Sequence, residues 1–190
     1  MRQLFLVERS LMRDLADSSR RTGRWDTAPV ACGAGSLSTG DALAVVVPGA
    51  GTEELKIDAA GNQIANQLVT YYLAVAPGIV QAFAPDAAGY EDQCPFKWLI
   101  RKNEAASQVP PNWLQGSVIE QPTSLWRDTQ RKVVATDLLQ LRIRRTPPTW
   151  EIEVSAVAIA DARRKSALGA QPLSGSVFVI VHRFGVIART

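Results

Sequence analysis

One histidine, two cysteines and a short acidic stretch are the residues of this 190-residue chain whose types best suit chemistry. A serine or cysteine hydrolase needs a nucleophile, a general base and a group that orients the base, and His182 is the single imidazole available for the middle role. It lies within residues 177–186, where Phe178, Ile180 and Phe184 share its face if the strand is regular. That setting reads as a packed or hydrogen-bonded structural histidine; a secreted hydrolase would instead need His182 in a cleft beside Ser or Cys and a carboxylate. Cys32 and Cys94 are too few for a zinc site built from thiolates. A bridge between them would close a loop of roughly 60 residues and contribute about 4 kcal/mol by chain entropy. Two unrelated buried thiols fit the spacing equally well. Asp86, Glu91 and Asp92 offer hard oxygen ligands to calcium, but their spacing matches no defined calcium loop, and acidic loops are ordinarily just solvated. No Gly-x-Ser-x-Gly elbow, phosphate-cradling lysine loop or dinucleotide fingerprint is present, and Gly49-Ala50-Gly51 reads as a turn. The five tryptophans are scattered and mark no carbohydrate platform. The chain is therefore expected to be non-catalytic, with no cofactor and no metal.

The elements that would position these residues are one helix and a series of strands. Leu4, Val7, Leu11 and Leu15 recur at spacings of three and four, with Glu8, Arg9, Arg13, Asp14 and Asp17 on the other face, which predicts an amphipathic helix over 1–23. Arg20 and Arg21 suit its negative end, and Gly23 its left-handed cap. The apolar stripe begins at the first residues with no N-cap before it, which suggests a helix continuing from a preceding segment. Residues 24–40, rich in Gly, Ser, Ala and Pro, read as an irregular linker. Strands are expected at 42–47, 55–57, 67–73 and 96–101, with a turn at 58–62 and an acidic loop at 85–93. Between 139 and 160 two alternating runs flank Pro147 and Pro148. One hairpin register places Arg144 opposite Glu151, Arg142 opposite Glu153, Ile143 opposite Ile152 and Leu141 opposite Val154. Residues 177–186 are too continuously apolar for an exposed edge. The reading is a single domain, 1–190, of α+β class: an N-terminal amphipathic helix packed on antiparallel sheet, with residues 41–190 forming a mostly β head.

Bulk composition narrows the classes further. At 46% hydrophobic and 21% charged, the chain can bury one substantial core. The net charge is only +3, and the arginine clusters at 20–24, 142–145 and 163–165 lack the aromatic and glycine residues of a nucleic-acid motif, so no nucleic-acid partner is expected. No stretch approaches the roughly 20 apolar residues that cross a bilayer.

The order of these elements resembles a known family. The acidic turn and strand Thr39-Gly40-Asp41-Ala42-Leu43-Ala44-Val45-Val46 is followed by Val69-Thr70-Tyr71-Tyr72-Leu73. Leu99-Ile100-Arg101 comes next, then Val133-Val134-Ala135-Thr136-Asp137-Leu138-Leu139, and the chain closes at Arg189-Thr190. The sequence is similar in this to the minor pilins and pseudopilins of type IV pili and type II secretion, especially the larger J-like and PilW-like members. The resemblance spans nearly the whole chain in degenerate motifs. It implies a pilin-like head that primes or caps an envelope filament, periplasmic or extracellular, partnered by other minor pilins or pseudopilins. It also implies an inner-membrane anchor through an apolar N-terminal helix that this sequence does not contain. In that setting Leu4, Val7, Leu11 and Leu15 form the helix face covered by the sheet, and an oxidising compartment would favour the Cys32–Cys94 bridge. A phage or virion structural protein, such as a tail or connector component, is the alternative class.

Overall fold

The computed structural model describes residues 2–18, 23–32, 35–48, 59, 64–76, 96–114, 130–157 and 179–187. The helix α1 runs over Arg2–Asp17. It stops earlier than its periodicity suggested because Ser18 folds back on the last turn, its amide and hydroxyl both donating to the Leu15 carbonyl at 3.2 and 2.8 Å. Gly23 serves a different purpose from the expected cap. A Cβ there would stand 2.6 Å from Cζ2 of Trp150, so the position needs glycine for the close approach of an indole ring.

Among the described residues seven strands follow: β1 (Arg24–Cys32), β2 (Gly35–Pro48), β3 (Ala65–Val75), β4 (Lys97–Ala105), β5 (Arg131–Thr146), β6 (Thr149–Val157) and β7 (Val179–Ile187). They form one antiparallel sheet in the order of the sequence, a meander curved into a half-barrel. The expected α+β, pilin-like class is thereby corrected: the described residues are mainly β, one continuous sheet accompanied among them by a single 16-residue helix. The expected linker at 24–40 is corrected with it. Arg24 to Cys32 pairs along β2 from Ala44 back to Gly35, because a ladder between two strands needs only backbone groups and tolerates Gly and Ser. Pro29, which has no amide to donate, stands in the end strand, where a missing ladder bond costs least.

The centre of the sheet is covered on both faces. Leu4, Val7, Leu11 and Leu15 are buried in the larger cluster, together with Leu43, Val45, Val69, Tyr71, Leu73, Leu99, Leu141, Ile143, Ile152 and Val154. On the opposite face Ala42, Ala44, Val46, Leu68, Tyr72, Ala74 and Ile100 pack against Val109 and Trp113, which follow β4. Double coverage explains why β2 and β3 read as unbroken apolar runs.

β5 changes partner midway. Its first half pairs with β4 and its second with β6, and the registers shift at Lys97/Leu99 and at Leu138/Gln140. Asp137 takes a left-handed φ of 58° at this bend. Lys97 is buried and donates from Nζ to the Leu139 carbonyl at 2.9 Å, while the Thr136 amide donates to Oε1 of Gln3 on α1 at 3.2 Å. The bend carries the second half of β5 round to meet β2 again, where Oδ2 of Asp41 accepts from the Ile143 amide at 2.5 Å.

The β5–β6 hairpin turns at Pro147–Pro148, joined by a cis peptide bond. Its register pairs Arg144 with Glu151, Arg142 with Glu153, Ile143 with Ile152 and Leu141 with Val154, as the alternation predicted. β7 corrects a second expectation. It is the last strand of the sheet, and Val179, Val181 and Ile187 are 42%, 48% and 63% exposed. Its apolar continuity reflects one face turned to the core and a solvent face on which Val179, Val181 and Ile187 flank Arg183 and Gly185. The expected strand at 55–57 lies outside the described residues.

Two consequences are measurable. Glu153 stands between Arg142 of β5 and Arg183 of β7, whose Nε donates to it at 2.6 Å. Glu153→Arg should therefore cost more than Arg142→Glu, each within about 1 kcal/mol in urea unfolding. The Arg142→Glu/Glu153→Arg pair should recover only part of the loss until Arg183→Glu is added; strictly additive losses would show that these rungs do not interact. Gly23→Ala should destabilise by about 1–3 kcal/mol, because the Trp150 ring it would strike is pinned beneath the Arg145 guanidinium, 5.0 Å from the ring centroid.

Candidate functional site

The densest set of polar side chains lies between α1 and the sheet. Asp14 falls on the buried face of α1, about one turn before the helix ends at Asp17, and meets residues of β3 and β4 there. Its Oδ2 accepts from Nε of Arg101 and from the hydroxyl of Tyr71, both at 2.6 Å, and its Oδ1 accepts from Nε of Arg13 at 2.8 Å. The Tyr71 oxygen also lies 2.8 Å from the Ser10 hydroxyl, and with its proton on Asp14 it accepts there. Nη1 of Arg101 continues to Oδ1 of Asn103 at 2.5 Å.

Burial alone pushes the Asp14 carboxyl up. The hydrogen bonds from Arg101, Arg13 and Tyr71 outweigh it, and the group is held below the usual carboxylate range. Burial, followed by the Asp14 charge, pushes the Tyr71 phenol far up. A general acid and base must exchange protons near the working pH. This pair is driven apart in the wrong directions for that, one group kept ionised and the other kept neutral. The arrangement is a clamp between helix and sheet.

His182 on β7 lies with Nε2 3.0 Å from Oε2 of Glu8. Its ring meets Phe5 edge-on at 5.6 Å and Phe184 at 5.7 Å. Ile180 and Phe184 share its face of β7 and pack on the larger core; Phe178 lies outside the described residues. The imidazole joins the sheet's last strand to α1, and no serine or cysteine stands among these contacts.

A groove of about 790 Å³ opens where β1 and β2 approach β5, β6 and β7. Trp25 and Asp41 form one side, and Arg142, Arg144, Glu151, Glu153, Arg183 and Gly185 are among the other lining residues. None of its lining residues carries a hydroxyl, thiol or imidazole, and the nucleophilic side chains there are the carboxylates of Asp41, Glu151 and Glu153. Burial raises the Asp41 carboxyl, opposed by the bond from Ile143 and the charge of Arg142.

The remaining sequence candidates divide plainly. Asp86, Glu91, Asp92 and Cys94 lie outside the described residues, and Cys32 is the last residue of β1. Among the described residues no group of three or more His, Cys, Asp or Glu could hold a metal ion. No helix among them is long and apolar enough to cross a membrane. Asp14, Tyr71 and Arg101 were each visible in the sequence, but nothing there marked them as partners. Asp14, expected on the polar face of α1, is instead buried against the sheet, and the one available signal was its spacing of three from Leu11 and seven from Val7. Comparison with family models, with curated proteins and with solved structures found no match to the chain.

The clamp predicts a pH signature. Asp14 titrates below its ordinary value of 3.8 when folded, so its contribution is complete above 3.8 and is lost as pH falls through the lower folded value. Asp41 has the opposite sign: its folded value lies above 3.8, so it favours the fold in acid and loses that contribution as pH rises through the folded value. Asp14→Asn should cost about 3 kcal/mol near neutrality, by leaving Arg101 and Arg13 without their anion, and should flatten the acid limb of the stability curve. Asp41→Asn should steepen the gain in stability just above 3.8. Urea titrations from pH 2 to 7 check both signs.

Proposed function

We propose that the chain is a structural, non-catalytic subunit that primes or caps an envelope filament, a minor pilin or pseudopilin head whose work is docking to neighbouring subunits. The observation that carries this reading is β7. A strand at the end of the sheet presents Val179, Val181 and Ile187 outward, and apolar side chains on a terminal strand favour contact with another chain. The ordered motifs from residue 39 to residue 139 support the family, although the fold class does not. The titratable groups in the described core support the absence of turnover, since Asp14, Tyr71 and Arg101 are spent on one another. The partners are other minor pilins or pseudopilins, the location is the periplasmic or extracellular side of the cell envelope, and an apolar helix would supply the inner-membrane anchor.

A second reading, a virion structural protein such as a tail or connector component, is favoured by the mainly-β meander, with one short helix among the described residues. The two readings part on the native protein. Intact mass of the protein from its source cells should exceed 20.6 kDa by an apolar stem of about 20 residues with a methylated first residue. Val181→Cys should crosslink to a different envelope subunit, while Lys132→Cys, exposed on β5, should not. A native chain of 20.6 kDa found only in particles would overturn the filament reading in favour of the virion one.

A further inference from the structure

The outward face of α1 has a composition that the core does not explain. Leu4, Val7, Leu11, Asp14 and Leu15 point inward. Arg2, Phe5, Leu6, Arg9, Met12 and Arg13 are exposed, and the two sets lie on opposite sides of the helix at about 100° per residue. Arg2, Arg9 and Arg13 run down the middle of the exposed stripe. Phe5 and Met12 flank them on the side toward β7, where Phe5 touches His182, and Leu6 flanks them on the other. Phe5 is 54%, Met12 41% and Leu6 38% exposed. A helix whose only task was to cover the sheet would carry polar residues at these three positions.

We infer that this stripe docks the protein on an anionic lipid surface, with the arginines at the headgroup phosphates and Phe5, Leu6 and Met12 entering the interfacial layer. Charge complementarity selects the occupant: three arginines are opposed on the stripe only by Asp17, and Glu8 is turned aside to His182. Arg13 uses Nε on Asp14, while its side chain remains 58% exposed. Shape favours a bilayer over an acidic protein helix. The stripe is the convex outside of a single helix with apolar residues on both flanks of its basic line, a form that lies flat on a plane. A partner helix would be held in a groove of apolar side chains, and here the charges occupy the middle. At 16 residues α1 lies on such a surface and does not cross it. The inference stands independently of the filament reading.

Co-sedimentation of the 190-residue chain with vesicles tests it. Vesicles of phosphatidylglycerol and phosphatidylcholine should carry the protein down at low ionic strength, and vesicles of phosphatidylcholine alone should not. Binding should fall about tenfold or more at 0.5 M salt, where screening shortens to a few ångströms (~4 Å). Arg2→Glu/Arg9→Glu should abolish it, and Phe5→Ser/Met12→Ser should weaken it several-fold (about 3-fold or more) with unchanged circular dichroism. Equal binding to both vesicle types, no binding to either, or undiminished binding by the arginine variant would overturn the inference. Retention on an immobilised acidic amphipathic peptide without any vesicle binding would also overturn it, assigning the stripe to a protein partner.

Discussion

The carboxylate of Asp14 is the point on which the rest of the structure depends. It brings α1, β3 and β4 to one place, because Arg101 and Tyr71 reach it from neighbouring strands while Arg13 reaches it from its own helix. Taking an anion out of water costs more than a single ion pair returns; two guanidinium donors and a phenol together reverse the balance. The helix could slide along its apolar stripe with little loss of buried area, since leucine and valine accept many registers. A buried carboxylate that must find three donors does not slide. Leu4, Val7, Leu11 and Leu15 supply adhesion, and Asp14 supplies register.

Around that anchor the sheet is shaped by local departures from regular pairing. The bend at Asp137, with its shifts of register and the Lys97 ammonium on the Leu139 carbonyl, lets one long strand serve two neighbours and turns the meander into a half-barrel. Curvature then brings β2 back toward β5. Asp41 caps an Ile143 amide there, and Gly23 leaves room for Trp150 and for the Arg145 guanidinium, which also donates to the Gly23 carbonyl at 3.2 Å. These contacts join parts of the chain more than a hundred residues apart.

The same arrangement bears on function. Asp14, Tyr71, Arg101 and Lys97 are held in structural contacts, and His182 links the last strand to the helix. What remains outward is mixed: Val179, Val181 and Ile187 stand beside Arg183 on β7, and Phe5, Leu6 and Met12 beside Arg2, Arg9 and Arg13 on α1. It is on these two outward surfaces that the proposed assembly and the proposed lipid docking rest.

Much of this architecture is written in local pattern. The 3.6-residue stripe of α1 and the two-residue alternation of the β5–β6 hairpin, down to its four paired rungs, follow from periodicity, because a slip of one residue would put charge in the core. The hairpin of β1 and β2 was not legible, since its ladder is made of backbone groups and its residues carry loop composition. β7 misled for a related reason: alternation reports a face in water, and a strand with valines and isoleucines on both faces looks buried even at an edge. The partners of Asp14 lie 57 and 87 residues away, and Gly23 meets a ring contributed by Trp150. By itself, the sequence determined the α1 stripe and the β5–β6 hairpin and the apolar face that each hides, because those depend on neighbours along the chain. Only the tertiary structure decided the single curved sheet, the clamp and the apolar residues left outside, because each depends on which distant groups the closing fold brings together.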